Sequence, residues 1–425
     1  MRMIVILVFT VLIWRDIVNK DKDKLELKLE EQANVANEVQ SNHNMALNQK
    51  RIYVDGVFDL MHWGHLNALR QAHKLGGKIV VGVVSDEETK NTKGIAPIYT
   101  AQERAELIKG CRWVHDVIVD TPYEVSLNFL KDVAKCDVVA HGDDVAIGAS
   151  GKDCYEEIKN AGLFVSVRRS RGCSTSTTLG RLVEALSSDR FSHLSVGQTG
   201  HDPISQFERL VEENEQQMAR DQLSDDGLGG VEKRGVHDGG HVKFPRCRTL
   251  ASLFAKFMPN TSKPEGGRVV YVDGTFDVFH VGHLRFLEKA KKQGDFLIVG
   301  IYDDQTVRTI KGNPFPVNHL TDRALTVLAM KYVDDVVLGA PFIPSKNYLQ
   351  NLEVSVVVVG DHSDGPLMTD NFDTHAVARE MGILVNVDSG YTLTTADIIH
   401  RVSSRLDQIA SNVERRCKIE KALYH

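Results

Sequence analysis

One stretch of the chain occurs twice, and it constrains the fold more than any other feature. The first copy runs from Arg51 to Leu66 (RIYVDGVFDLMHWGHL) and the second from Arg268 to Leu284 (RVVYVDGTFDVFHVGHL). Each begins with an apolar run that ends at glycine, which predicts a buried strand of a parallel sheet. Each closes with His-x-Gly-His before an apolar helical pattern. The duplication therefore predicts two similar α/β domains in tandem.

The two copies stay in register well beyond this stretch. At one constant offset the matching pairs are Asp55/Asp273, Gly56/Gly274, Phe58/Phe276, Asp59/Asp277, His62/His280, His65/His283, Gly82/Gly300, Lys93/Lys311 and Gly94/Gly312. His141, however, faces Val359, and Asp144 faces His362. The second domain is therefore interpreted as a degenerate copy of the first.

Strands and helices alternate after the first motif. The pattern predicts strands over 79–84, 114–119, 138–140 and 163–167, helices over 100–111 and 155–161, and a polar loop that carries Lys93-Gly94. Thr100 and Glu103 are spaced for a capping box. Such alternation is typical of a doubly wound, Rossmann-like parallel sheet, whose ligands bind beyond the carboxyl ends of the strands. His62, Lys93, His141, Asp144 and the segment after Val167 all follow such ends.

The segment from Arg169 to Thr178 (RSRGCSTSTT) precedes a predicted helix over 179–186. Its hydroxyl side chains are typical of an ordinary helix N-cap. Hydroxyls, free N–H groups and an arginine at a helix N-terminus also suit a phosphate site. The second copy has Asp388 to Thr395 (DSGYTLTT) here, with no arginine.

Composition describes an ordinary globular protein. The 425 residues carry a net charge of -6, and no global basic field suggests nucleic acid as a partner. Six scattered cysteines without a C-x-x-C pair favour a reducing compartment, so a cytoplasmic protein is expected.

Two regions fall outside the repeated pattern. Residues 3–14 form an apolar run between Arg2 and Arg15, shorter than the roughly 20 residues of a spanning helix. It is either a short membrane anchor, holding the protein on the cytosolic face of an organelle membrane, or a disordered or extraneous tail. The polar composition of 187–266 predicts a linker, with a short amphipathic helix at 251–257. The predicted segments are 1–49 (apolar run and tether), 50–186, 187–266 (linker) and 267–412.

His62 and His65 alone admit several interpretations: structural capping, metal ligation or anion binding. No further Cys or His with metal spacing lies nearby, which weakens the second. Gly-x-Phe-Asp followed by His-x-Gly-His resembles the nucleotidylyltransferase superfamily, and the wider run resembles the CTP:phosphocholine and CTP:phosphoethanolamine cytidylyltransferases. The resemblance covers roughly 50–186 and 267–412. Two domains in tandem are typical of the phosphoethanolamine enzymes, and the segment after Val402 is too short and polar for the lipid-binding helix of the phosphocholine enzymes.

The resemblance implies transfer of a cytidylyl group from CTP to phosphoethanolamine, giving CDP-ethanolamine and pyrophosphate in phosphatidylethanolamine biosynthesis. It implies catalytic roles for His62, His65, Lys93 and Arg169. It assigns to CTP the residues Gly56, Val57, Phe58, His141, Asp144, Ser174, Thr175 and Ser176, and to phosphoethanolamine Asp55, Tyr123 and Tyr155. Ser170 and Cys173 depart from the family's Thr and aliphatic residue. Arg112 is either a nucleotide contact or a member of a structural ion pair.

Mg²⁺ is expected to accompany CTP, without a dedicated protein cage. The phosphate oxygen that attacks is already ionised near neutral pH, so no general base and no nucleophilic triad are expected. Two other functions remain open: a nucleotide-binding regulatory protein without turnover, and a transferase that acts on phosphocholine, glycerol 3-phosphate or another phosphorylated alcohol. The sequence leaves the oligomeric state open.

Overall fold

The computed structural model describes residues 50–144, 146–148, 152–170, 173–187, 253–259, 261–312, 315–361 and 373–424. The predicted N-terminal apolar run and nearly all of the predicted linker lie outside these ranges. Within them, no helix is long and apolar enough to cross a membrane.

The first sheet has five parallel strands in the order β3-β2-β1-β4-β5. The strands are β1 (Arg51–Gly56), β2 (Lys78–Val84), β3 (Asp116–Thr121), β4 (Val138–Gly142) and β5 (Phe164–Val167). The helices are α1 (Trp63–His73), α2 (Asp86–Lys93), α3 (Ala101–Gly110), α4 (Glu156–Asn160) and α5 (Thr175–Ser187), with a π-helical turn at Phe129–Val133.

The second sheet repeats this topology in the order β8-β7-β6-β9-β10. Its strands are β6 (Val269–Gly274), β7 (Phe296–Ile301), β8 (Asp335–Leu338), β9 (Val354–Gly360) and β10 (Leu384–Val387). Its helices are α6 (Val281–Lys291), α7 (Asp304–Lys311), α8 (Leu320–Leu328), α9 (Lys346–Asn351), α10 (Ala376–Glu380), α11 (Thr395–Ser403) and α12 (Leu406–Tyr424). The predicted fold class of two tandem doubly wound sheets is confirmed.

The turn after the first strand of each sheet has the same unusual backbone. Phe58 and Leu60 have φ of 53° and 44°, and Phe276 and Val278 have φ of 50° and 44°. Non-glycine residues rarely adopt positive φ, and they do so where the surrounding structure holds them. The buried Asp59 provides that support, because its carboxylate accepts hydrogen bonds from the backbone N–H groups of residues 98 and 99, at 2.8 and 2.9 Å.

Two local predictions have opposite outcomes. The predicted Thr100–Glu103 capping box at the start of α3 is confirmed. The side chain of each residue accepts a hydrogen bond from the backbone N–H of the other. The predicted polar loop before Lys93 is wrong, because residues 86–93 form α2. Ser85 caps this helix, acidic residues fill its first turn and lysines its last, which complements the helix dipole.

The two domains pack on each other at the residues that follow α3 and α8. Cys111 and Met330 form an antiparallel bridge, and beside it the Arg112 N–H donates to the Ala329 carbonyl at 3.0 Å and the Lys331 N–H to the Gly110 carbonyl at 2.9 Å. Buried residues of both sheets belong to one continuous core.

The Arg112 side chain serves this interface. Its guanidinium donates to the carbonyls of Leu328, Met330 and Val333, at 2.7 to 2.9 Å. Arg112 therefore has a structural role at this interface, in which carbonyl groups and not a carboxylate accept from its guanidinium.

A short helix at 253–257 docks on the first domain. Phe257 is fully buried, its ring lies edge-on to Trp113 at 5.3 Å, and the Arg70 guanidinium lies 5.8 Å from its centroid. Over these residues the predicted amphipathic helix is confirmed.

Candidate active site

The candidate residues gather where the first sheet reverses its strand order. β1 lies between β2 and β4, so the crossover connections leave β1 and β4 toward opposite sides and open a crevice at their carboxyl ends. The tight turn after β1 places His62 at the N-cap of α1. His141 lies at the end of β4.

His62 is oriented by contacts on one ring nitrogen. Its Nδ1 accepts from the Gly64 N–H at 3.2 Å and lies 3.1 Å from the Cys173 thiol. The proton is therefore assigned to Nε2, a buried nitrogen that makes no hydrogen bond to any described residue. Burial, and next the charge of Arg169, lower the His62 pKa to about 3. His62 is thus a neutral imidazole with one N–H to donate.

His65 lies one turn along α1 and stacks on His62, with 3.8 Å between ring centroids. Burial lowers its pKa well below the usual value, and His62, Lys93 and Arg169 lower it further. Phe58 packs edge-on against it at 5.4 Å. The pair can donate hydrogen bonds at neutral pH but carries no charge.

Lys93 is the last residue of α2, and Gly94 ends the helix in the left-handed conformation with φ of 79°. Burial lowers the Lys93 pKa to about 7, followed by the charge of Arg416, against the opposing effect of Asp59. Its neutral amino group is therefore poised to gain a proton when an anion binds.

Arg169 follows β5 and enters the crevice. Its guanidinium lies 2.7 Å from Asp144, and its N–H donates to Asp143 at 2.9 Å. The carboxylate of Asp144 therefore orients the arginine, so these two predicted residues act together.

The predicted phosphate cradle begins α5. Ser174 Oγ accepts from the Thr177 N–H at 3.1 Å, and the Thr175 hydroxyl donates to the Asp59 carbonyl at 3.0 Å. Ser176 is buried beside them. No acidic residue lies in the first turn of α5, so its N-terminal N–H groups can receive an anion.

The other end of the crevice has a buried carboxylate. Asp55 accepts from the Tyr155 hydroxyl at 2.8 Å, and the Tyr155 ring contacts His141 at 4.6 Å between centroids. Burial raises the Asp55 pKa. Tyr123 lies close enough that the charges of Asp55 and Asp144 add to the rise that burial causes in its pKa.

Gly56 and Val57 line the same turn. A Cβ at Gly56 would meet the Phe58 ring at 3.2 Å, so a side chain there would require the Phe58 ring to shift. The Val57 carbonyl, in contrast, accepts from the buried Arg104 guanidinium, so this group is used within the protein.

Sequence reasoning missed Arg104 and the last helix. Arg104 also donates to the Val84 carbonyl and pairs with Asp86. Arg323 makes the matching bonds in the second domain, so the repeat was a usable signal. Nothing in the sequence signalled the last helix, which reaches the site from far along the chain.

Within the part of the chain that the structure describes, no three His, Cys, Asp or Glu side chains lie together as metal ligands. The charged groups that face the histidines are Lys93 and Arg169, which repel a cation. This donor set does not fit a resident Mg²⁺ ion.

The second domain has the same histidine stack but different surroundings. His280 and His283 are 3.9 Å apart between centroids. Asp273 is bonded to His375 Nε2 at 3.1 Å, a partner that Asp55 does not have. Asp397 accepts from both the N–H and the hydroxyl of Thr394 in the first turn of α11.

The chain is similar in sequence to proteins of known function. The sequence model described as "Cytidylyltransferase-like" matches residues 53–215 and 271–414. The ethanolamine-phosphate cytidylyltransferase of Dictyostelium discoideum is 36% identical over 370 residues, which cover 87% of this chain and 95% of that protein. The enzymes of the same name from Arabidopsis thaliana and Mus musculus are 35% and 32% identical, over 88% and 87% of this chain and 85% and 89% of their own lengths.

Proposed function

The chain belongs to the cytidylyltransferase-like family, and within it to the ethanolamine-phosphate cytidylyltransferases, and we propose on this premise that it converts CTP and phosphoethanolamine to CDP-ethanolamine and pyrophosphate. This reaction belongs to the biosynthesis of phosphatidylethanolamine. The single observation that carries the proposal is the neutral His62–His65 stack facing Lys93 and Arg169. These groups bind and align phosphates, and they include no ionised general base.

In this mechanism a phosphate oxygen of phosphoethanolamine attacks the α-phosphorus of CTP. A new P–O bond forms while the bond to the β-phosphate oxygen breaks in line, and pyrophosphate leaves with the electron pair. His62 Nε2–H and His65 donate to the phosphate oxygens on which charge develops. Lys93 bridges the two anions, whose mutual repulsion otherwise opposes alignment.

The remaining residues bind the two substrates. Arg169, held by Asp144, and the N-terminus of α5 hold the β- and γ-phosphates. The tight turn at Gly56 lets the nucleotide approach the backbone. Mg²⁺ arrives with CTP as its counter-ion, as part of the nucleotide substrate.

The amino-alcohol end lies at Asp55, Tyr123 and Tyr155. A primary ammonium has three N–H donors and gains from carboxylate acceptors, whereas a quaternary ammonium is best held by aromatic faces. Asp55 already receives one hydrogen bond from Tyr155 and presents a buried carboxylate. This arrangement favours phosphoethanolamine over phosphocholine.

Steady-state kinetics of the purified full chain test the proposal. CTP is supplied with phosphoethanolamine, phosphocholine or glycerol 3-phosphate, and pyrophosphate and the CDP-alcohol are measured. We expect phosphoethanolamine to be preferred by ~10²-fold or more in kcat/KM, because choline leaves the buried acceptors unpaired. Equal specificity constants for the two amino alcohols would contradict the choice of acceptor, and absence of pyrophosphate with all three would contradict the reaction.

The four cysteines with described side chains, Cys111, Cys136, Cys154 and Cys173, are free thiols. Free thiols are typical of proteins in a reducing compartment such as the cytoplasm. The N-terminal apolar run lies outside the described residues, and the proposed reaction does not depend on it.

A further inference from the structure

Helix α12 follows the second domain in the chain but packs on the first. Ile409 is buried in the common core, and Val413 lies against α5, 3.7 Å from where a Cβ at Gly180 would stand. Because α5 carries the phosphate cradle, α12 runs beside the candidate active site.

The same helix contacts the end of α2 directly. Asn412 Nδ2 and Arg415 Nη2 each donate to the Lys93 carbonyl at 2.7 Å. Carbonyls in the last turn of a helix have no partner within the helix, so these two side chains satisfy a group that would otherwise need water. They thereby fix the backbone from which the Lys93 side chain extends.

Arg416 extends from this face of α12. It lies one helical turn after Asn412, and residues four apart are neighbours on a helix surface. Its side chain is half-buried. Its charge lowers the pKa of Lys93 and acts on Tyr123 in the same direction. The guanidinium therefore lies within electrostatic reach of both the catalytic lysine and the expected ethanolamine end.

We propose that Arg416 binds the phosphate of the acceptor substrate in the first-domain site. The inference rests on the proposed function and deepens it. The acceptor phosphate is favoured over the triphosphate because Arg169 and the α5 N-terminus already serve the triphosphate. Arg416 lies instead toward Lys93 and Tyr123, where the acceptor enters.

The test replaces Arg416 with Gln in the full chain and measures KM for each substrate. Removing one charge-assisted hydrogen bond from a phosphate should raise KM for phosphoethanolamine ~10-fold or more, with a smaller change for CTP. The same variant should shift the alkaline limb of the kcat/KM profile to higher pH, because Lys93 loses a neighbouring positive charge. Arg416→Lys should restore part of the affinity.

Arg379→Gln is the matched control, since it removes an exposed arginine paired with Asp373, which lies on the second domain. Wild-type turnover in the same assay separates failure of this inference from failure of the proposed function. Arg416→Gln kinetics equal to those of the control would overturn the inference, as would an increase confined to the KM of CTP. Circular dichroism and Tm establish that the variants are folded.

Discussion

The two domains share a backbone, a histidine stack and a buried aspartate beneath the turn, yet their surroundings differ in charge. Both turns hold positive φ at the same two positions, and Asp277 accepts from the N–H groups of residues 317 and 318 as Asp59 does in the first domain. These shared features build the nucleotidylyltransferase fold. Any difference in reactivity between the two domains therefore lies in the side chains around these shared features.

The first difference concerns the buried aspartate that faces the acceptor. Asp55 has a neutral tyrosine as its partner. Asp273 instead pairs with His375; burial alone would lower the pKa of this histidine, but the hydrogen bond and charge of Asp273 raise it above the usual value. A carboxylate that already pairs with a histidine side chain has less capacity left for an ammonium ligand. Tyr302 also bonds to Asp273, where the first domain has Val84.

The second difference concerns the helix N-terminus that would receive phosphate. α5 has no acidic residue in its first turn, whereas α11 has Asp397 there. A carboxylate that caps the helix occupies the donors a phosphate would use and repels it. The N-terminus of α11 is therefore less suited to an anion than that of α5. The same helix supports the first domain, because Arg401 donates to both carboxylate oxygens of Glu103, at 2.7 and 2.8 Å.

The largest expected effect separates the two histidine stacks. His65→Ala should reduce kcat at least ~10²-fold, the usual cost of losing one transition-state hydrogen-bond donor. His283→Ala, at the matching position, should keep a larger share of activity because its domain lacks the arginine and the His141 equivalent. Similar losses in the two variants would break the comparison and assign chemistry to both domains.

A smaller effect is expected from pH. With a pKa of about 7, Lys93 loses its charge as pH rises through neutrality, so kcat/KM should fall ~10-fold per pH unit on the alkaline side. Burial and then the charges of Arg416, Arg104 and Arg169 hold this pKa down, and Asp59 opposes them. Lys93→Arg should remove the alkaline limb, whereas Lys311→Arg should leave it in place. A limb that survives Lys93→Arg would show that another group titrates.

The smallest effect concerns the cap of α11. Asp397→Asn should lower the free energy of unfolding by ~1 kcal/mol, because the capping box loses its charged acceptor. It should leave kcat nearly unchanged, since the proposed reaction takes place in the first domain. Chemical denaturation and kinetics measure both, and Glu380→Gln removes an equal charge at an exposed position without a cap. A much larger fall in kcat for Asp397→Asn than for Glu380→Gln would mean that the first-domain site depends on the stability of α11.

The two sheets and part of the candidate site could be predicted from the sequence, because apolar runs and short motifs are local patterns that occur in both copies of the repeat. The apolar runs predicted both sheets. The His-x-Gly-His motif after the first strand predicted His62, and the repeated Lys-Gly pair predicted Lys93. The Lys93 segment was mistaken for a loop because its residues are polar, although Ser85 and the distribution of charge along α2 favour a helix.

The contribution of α12 could not be predicted from the sequence. The contacts of Asn412 and Arg415 with Lys93 join residues more than three hundred positions apart. They depend on how the two domains pack, which no local pattern reports. For the same reason the interface role of Arg112 was missed.

Calorimetric titration of the full chain with CTP tests the central claim most directly, because it counts nucleotide sites without requiring turnover. We predict one CTP bound per chain, with binding greatly weakened by Arg169→Ala and unaffected by Lys289→Ala, which replaces the cation that donates to the Asp388 carbonyl in the second domain. Two CTP molecules per chain, or one that persists in Arg169→Ala, would contradict the account.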